Sequence, residues 1–144
     1  MDALVLARVQ FALTAAFHYL YPPLTIGLSW ILVVFAWKRM KGQEPVWDQL
    51  MKFWTGLFAI NFAVGVATGI VMEFQFGTNW SQYSKFVGDI FGAPLAAEAI
   101  FAFFLESTFL AVLILGWRRV SKKVHAFSAL MVAVGSTLSA FWIV

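Results

Sequence analysis

Four apolar runs, each long enough to cross a lipid bilayer, leave this 144-residue chain little choice of fold class. They lie at about residues 11–37, 53–74, 94–117 and 125–144. A helix needs about 20 apolar residues to span the hydrocarbon core. In that medium every backbone N–H and C=O must be satisfied within the protein, and a helix does so within its own segment. Charged residues make up 12% of the chain, against about a quarter in soluble domains, and the mean hydropathy is +0.83. The expected fold is all-α: a polytopic membrane helix bundle with four transmembrane helices in this fragment, set in a lipid bilayer, with no soluble domain, linker or repeat. The last run reaches "SAFWIV" at residue 144 without a cap or polar flank, so residues 1–144 read as the N-terminal part of a longer, truncated chain. No basic n-region precedes the first run, which is too long for the apolar core of a cleaved signal peptide. The absence of cysteine excludes a disulfide framework, a Cys-type zinc site and an iron–sulfur cluster.

The charges carry an orientation. Lys38, Arg39, Lys41 and Lys52 occupy the first connection, and Arg118, Arg119, Lys122 and Lys123 the third. The N-terminal segment holds only Arg8, and the second connection, 75–93, only Lys85. Basic residues concentrate on the cytoplasmic side of membrane proteins. Connections one and three are therefore expected inside, with the N-terminus and 75–93 outside. The net charge of +3 sits where membrane loops would place it, so it does not point to nucleic acid. Trp37, Trp54, Trp80 and Trp117 fall near span ends, as an interfacial aromatic belt would. His125 follows "RRVSKK" and reads as a marker of the membrane edge. Gly65 and Gly69 in "GVATG" form a small-xxx-small pair suited to close helix packing.

Ionisable groups inside a span cost about 2.5–3.5 kcal/mol at its centre on insertion scales and commonly mark function. Four qualify: His18, Glu73, Glu98 and Glu106. Glu106 lies near mid-membrane in "AFFLESTFL", whereas Glu73 and Glu98 lie towards the outer ends of their spans. Glu98 and Glu106, eight residues apart, are separated by about 12 Å along a helix and about 80° around it. On one broad face they could exchange a proton through water or the Ser107 and Thr108 hydroxyls.

His18 lies in "FHYLYPPLTIGL". In a continuous helix the carbonyls of His18 and Tyr19 would accept from residues 22 and 23, both prolines, which have no N–H. The ladder should open beside the histidine and the helix should kink. With small neighbours at Thr14 and Ala15, the imidazole would stand in a recess. A neutral imidazole there can ligate haem iron or bond another helix. Membrane carboxylates beside a proline-broken helix also suit an ion or proton transporter.

The stretches "RVQFALTAAFHYLYPPLTIG", "NFAVGVATGIVMEFQFGTNW", "VGDIFGAPLAAEAIFAFFLEST" and "VGSTLSAFWIV" resemble subunit I of the cytochrome bd quinol oxidases, with a leaning to the cyanide-insensitive branch. The resemblance implies an oxidoreductase of aerobic respiration that couples quinol oxidation to reduction of dioxygen to water. It would generate a membrane potential without proton pumping. It implies haem b in low-spin and high-spin forms, and haem d or a b-type haem in its place. The implied partners are oxidase subunit II, small single-span subunits, membrane quinol and dioxygen, in a bacterial or archaeal cytoplasmic (inner) membrane.

By the same resemblance His18 is an axial haem-iron ligand, and Glu98 and Glu106 deliver protons. Ser107 and Ser139 lie along the proton route, Arg8 stands near haem propionates, and Met72 and Glu73 neighbour the haem pocket. The family's low-spin haem ligands, quinol loop and a further glutamate lie beyond residue 144. The fragment alone is thus expected to be inactive. A non-catalytic truncated remnant is the other reading of its length.

Overall fold

The computed structural model describes residues 2–42 and 44–143. The helices are α1 (Ala3–His18), α2 (Tyr21–Lys41), α3 (Pro45–Gly77), α4 (Ser81–Ala97), α5 (Phe104–Leu115) and α6 (Lys122–Ile143), with a π-helical stretch, Glu98–Phe103, joining α4 to α5. They line up as four segments long and apolar enough to cross a membrane: Ala3–Lys41, Pro45–Gly77, Ser81–Leu115 and Lys122–Phe141. The all-helical, four-segment architecture read from the apolar runs is the one that forms.

Three segments are longer than the apolar runs suggest, the second running Pro45–Gly77 where 53–74 is expected. The first begins at Ala3, where Asp2 caps the helix by accepting the Leu4 N–H at 3.3 Å. The third begins at Ser81, so much of the 75–93 stretch expected as a connection is helix. Its sequence, "SQYSKFVGDIFG", interleaves Ser84, Lys85 and Asp89 with Tyr83, Phe86 and Ile90. An apolar run misses such a segment, but an amphipathic helix accommodates it. Val144, the last residue of the fourth expected span, lies outside the described residues.

The core sits at the end of the bundle that carries the first and third connections. Leu32 and Ala36 of α2, Met51 and Phe58 of α3, Leu110 and Leu113 of α5, and Ala129 and Val132 of α6 form one buried cluster. Polar contacts close it off. Arg39, in the last turn of α2, pairs with Asp48 in the first turns of α3. Its guanidinium also stacks on Trp117, 4.7 Å from the ring centroid, and its Nη1–H donates to His125 Nδ1 at 3.3 Å. His125 is 1% exposed, and its Nε2–H donates to the Leu113 carbonyl at 3.0 Å.

His125 is therefore no marker of the membrane edge. It is a buried pin between α5 and α6. Its ring lies 4.5 Å from Trp117, and the Arg39 guanidinium touches both. Arg39, Asp48, Trp117 and His125 come from both basic connections, so those connections share one end of the bundle, as the charge pattern requires.

Candidate functional site

At the opposite half of the bundle, α1 and α2 are separate helices. The prolines stand in the first turn of α2, where a missing N–H costs nothing. The break falls one turn earlier, at Tyr19 and Leu20, because the carbonyls that lose their donors are those four residues upstream. Leu20 N–H turns back to Phe17 O at 3.3 Å, and Tyr19 N–H to Ala15 O at 2.9 Å. His18 is thus the last residue of α1. Beside it, Leu13, Thr14, Ala16, Phe17 and Leu20 line an open groove of about 650 Å³ with Thr68 and Val71 of α3.

The His18 ring is held by α3. Its Nδ1 lies 2.9 Å from Thr68 Oγ1. The Thr68 hydroxyl proton is directed to its own helix, at Val64 O (2.9 Å) and Gly65 O (3.0 Å). With its proton so placed Oγ1 can accept from the ring, and the tautomer that suits this contact has the proton on Nδ1 and the lone pair on Nε2. Two glycines make the approach possible. A Cβ at residue 69 would stand 3.1 Å from His18 Cε1, and one at residue 65 would stand 3.1 Å from Tyr21 Cβ. The small-xxx-small pair is a packing surface, and its load is the hinge.

The hinge belongs to a longer polar seam. Thr14 Oγ1 donates to Gln10 O at 2.9 Å and accepts from Gln75 Nε2 at 3.0 Å. Asn79 Nδ2 donates to Gln10 Oε1 at 2.9 Å, and Asn61 Nδ2 to Thr25 Oγ1 at 2.7 Å. Thr14 is therefore engaged with α3 instead of leaving a bare recess under the histidine.

The carboxylates gather on α6. Ser139 Oγ donates to Glu98 Oε1 at 2.6 Å. Glu106 is 7% exposed, and its carboxyl lies beside Ser136. The π-helical stretch between them changes the expected angle. One extra residue in the turn reduces the offset from about 80° to about 20°, since each residue of an α-helix turns about 100°. Both acids consequently address one helix, three residues apart along it. Glu73 is exposed on α3.

Other expected positions lie elsewhere. Ser107 Oγ donates to its own helix, at Phe103 O (2.8 Å), and Thr108 is exposed. Met72 is half-buried on α3 and Arg8 is exposed on α1. No hydrogen bond joins His18 to either buried glutamate among the described residues; the two groups are carried by different helix pairs. Thr68, Gln75, Asn61, Ser136 and Gly135 were not anticipated. Asn61, Thr68 and Gln75 recur every seven residues, and Gln10, Thr14 and His18 every four, so two facing polar stripes were present to be read.

The family described as cytochrome bd terminal oxidase subunit I matches residues 6–144. The cytochrome bd ubiquinol oxidase subunit 1 of Bacillus subtilis (strain 168) is 52% identical over 143 residues, covering 99% of this chain and 31% of that protein. The cytochrome bd-II ubiquinol oxidase subunit 1 of Escherichia coli (strain K12) is 54% identical over 142 residues, covering 99% of this chain and 28% of its own length. The solved structure of bd oxidase from Geobacillus thermodenitrificans superposes with a TM-score of 0.89 at 31% identity, covering 99% of this chain and 33% of that one. The chain spans about a third of the length of the curated relatives it matches.

Proposed function

The chain belongs to the cytochrome bd terminal oxidase subunit I family, and from that premise we propose that it contributes four membrane segments to the haem-bearing subunit of a bacterial respiratory quinol oxidase. The observation that carries this reading is the state of His18. Its Nδ1 lies 2.9 Å from Thr68 Oγ1, and with the proton on that nitrogen Nε2 would be a lone-pair donor at the end of a broken helix. A haem iron takes such a nitrogen as axial ligand. Among the described residues no three His, Cys, Asp or Glu side chains converge on a bare metal site; His18 is the residue that would hold a porphyrin metal. Bound haem would supply the electron and oxygen chemistry.

The protein's own part is to hold and move charge. Glu106 and Glu98, in line along α6, would pass protons towards the outer half of the bilayer. Ser139 would hold the Glu98 carboxyl and relay its proton. Arg8 would offset acidic groups of the haem, a role suited to a guanidinium near carboxylates. Met72 and Glu73 would border the pocket from α3. The complete enzyme would oxidise membrane quinol and reduce dioxygen to water alongside subunit II and small subunits. Protons taken from inside and released outside would create a membrane potential without pumping.

His18→Ala in the full-length subunit tests the reading. The variant is expected to lose a high-spin haem signal in membrane spectra. Retention of both high-spin signals at parental intensity would overturn ligation by His18.

A further inference from the structure

We infer that Thr68 is a positioning residue that fixes the tautomer and plane of the His18 ring and thereby tunes the group that His18 holds. The inference rests on the reading of His18 as an iron ligand, and deepens it. Imidazole ligands of metals depend on the acceptor at their other nitrogen, which orients the ring and raises its basicity. The usual acceptor is a carboxylate, a backbone carbonyl or water. Here a hydroxyl from a neighbouring helix stands at that nitrogen, beside the Gly65 carbonyl.

Three features make that hydroxyl a defined acceptor. Its proton has acceptors on its own helix, Val64 O and Gly65 O at 2.9 and 3.0 Å, which leaves the oxygen able to accept from the ring. Donation in turn polarises the oxygen and strengthens its acceptance, as chains of hydrogen bonds do. Its backbone is fixed, because α3 lies against the hinge at two glycines. At Gly69 a Cβ would stand only 3.1 Å from Cε1, so the ring lies against the bare backbone of α3.

His18 is otherwise loosely held. It ends α1, a helix without a fully buried residue among those described, and the next two residues are a turn. The ring's orientation is therefore set across the seam and not by its own helix. A hydroxyl on α3 does what a continuous helix would otherwise have done.

The test uses the whole oxidase in membranes, with Thr68→Val, Thr68→Ser and His18→Ala made separately. Valine keeps the shape of threonine but removes the acceptor. Thr68→Val is expected to raise the midpoint potential of the haem bound by His18, because a less basic imidazole donates less to iron. It is also expected to weaken retention of that haem by about tenfold or more. Thr68→Ser should restore both. A Thr68→Val oxidase with parental potential and haem content would overturn the inference while His18→Ala still loses its haem. If His18→Ala keeps both high-spin haems, the ligation reading fails first, and the tuning of an iron by Thr68 falls with it.

Discussion

Gly135 is the residue on which the acid pair turns. A Cβ there would stand 2.7 Å from Cγ of Glu106, closer than packed atoms allow. Gly135→Ala is therefore expected to push Glu106 away from α6 and lower oxygen consumption several-fold, with haem content preserved. Steady-state respiration beside reduced-minus-oxidised spectra checks it, and parental turnover would show that the contact is dispensable. Glu106→Gln removes the exchangeable acid and keeps its shape. Oxygen uptake should fall at least tenfold, since positioned acid–base groups typically contribute 10²–10⁴-fold. Reduction of the haems by quinol should remain mostly intact. A variant that respires normally would take Glu106 out of the proton route. Glu106 could be chosen from sequence because a carboxyl amid phenylalanine and leucine is costly. Gly135 could not, because a glycine shows its purpose only once its neighbour is known.

At the level of elements, proline and π-helical geometry do the arranging. Pro22 and Pro23 withhold two N–H groups, and the resulting break sets His18 at a helix end. Replacing both with alanine would return donors to the carbonyls of His18 and Tyr19, each bond contributing about 0.5–1.5 kcal/mol. The straightened α1–α2 should draw His18 away from Thr68. The expected outcome is a lower haem-to-protein ratio with an undiminished thermal midpoint, and full haem content would argue against the hinge. The hinge was legible because proline's lack of a donor is a local fact. The π-helical stretch was not, since nothing in "EAIFAF" declares an extra residue per turn. It begins four residues after Pro94, and its effect is to bring Glu98 and Glu106 onto α6 together.

Across the whole molecule the two ends differ. The end with the basic connections is tightly packed and clasped by Arg39, Asp48, Trp117 and His125. The other is joined by hydrogen bonds across the α1–α3 seam. His125→Phe should roughly keep the ring's volume but leave the Leu113 carbonyl without its side-chain donor. A loss of about 1–3 kcal/mol follows from leaving such a group unsatisfied, visible as a lower thermal midpoint in detergent. An unchanged midpoint would deny the pin. Orientation can be read directly, because the chain has no cysteine. A cysteine at Ser121 should react with an impermeant thiol reagent only from the cytoplasmic side, and one at Gln82 only from outside. The reverse pattern would invert the topology.

The sequence by itself determined the membrane-helical class, the number of apolar segments, the break after His18 and the costly acids. Each of these follows from solvation or from a backbone hydrogen bond within one segment. The tertiary structure decided that the His18 ring meets Thr68 through Nδ1, that both acids face α6, and that His125 is buried. Those depend on atoms brought together from helices far apart in the chain, where a hydroxyl, a glycine or a carbonyl sets the outcome at a distance of about one hydrogen bond.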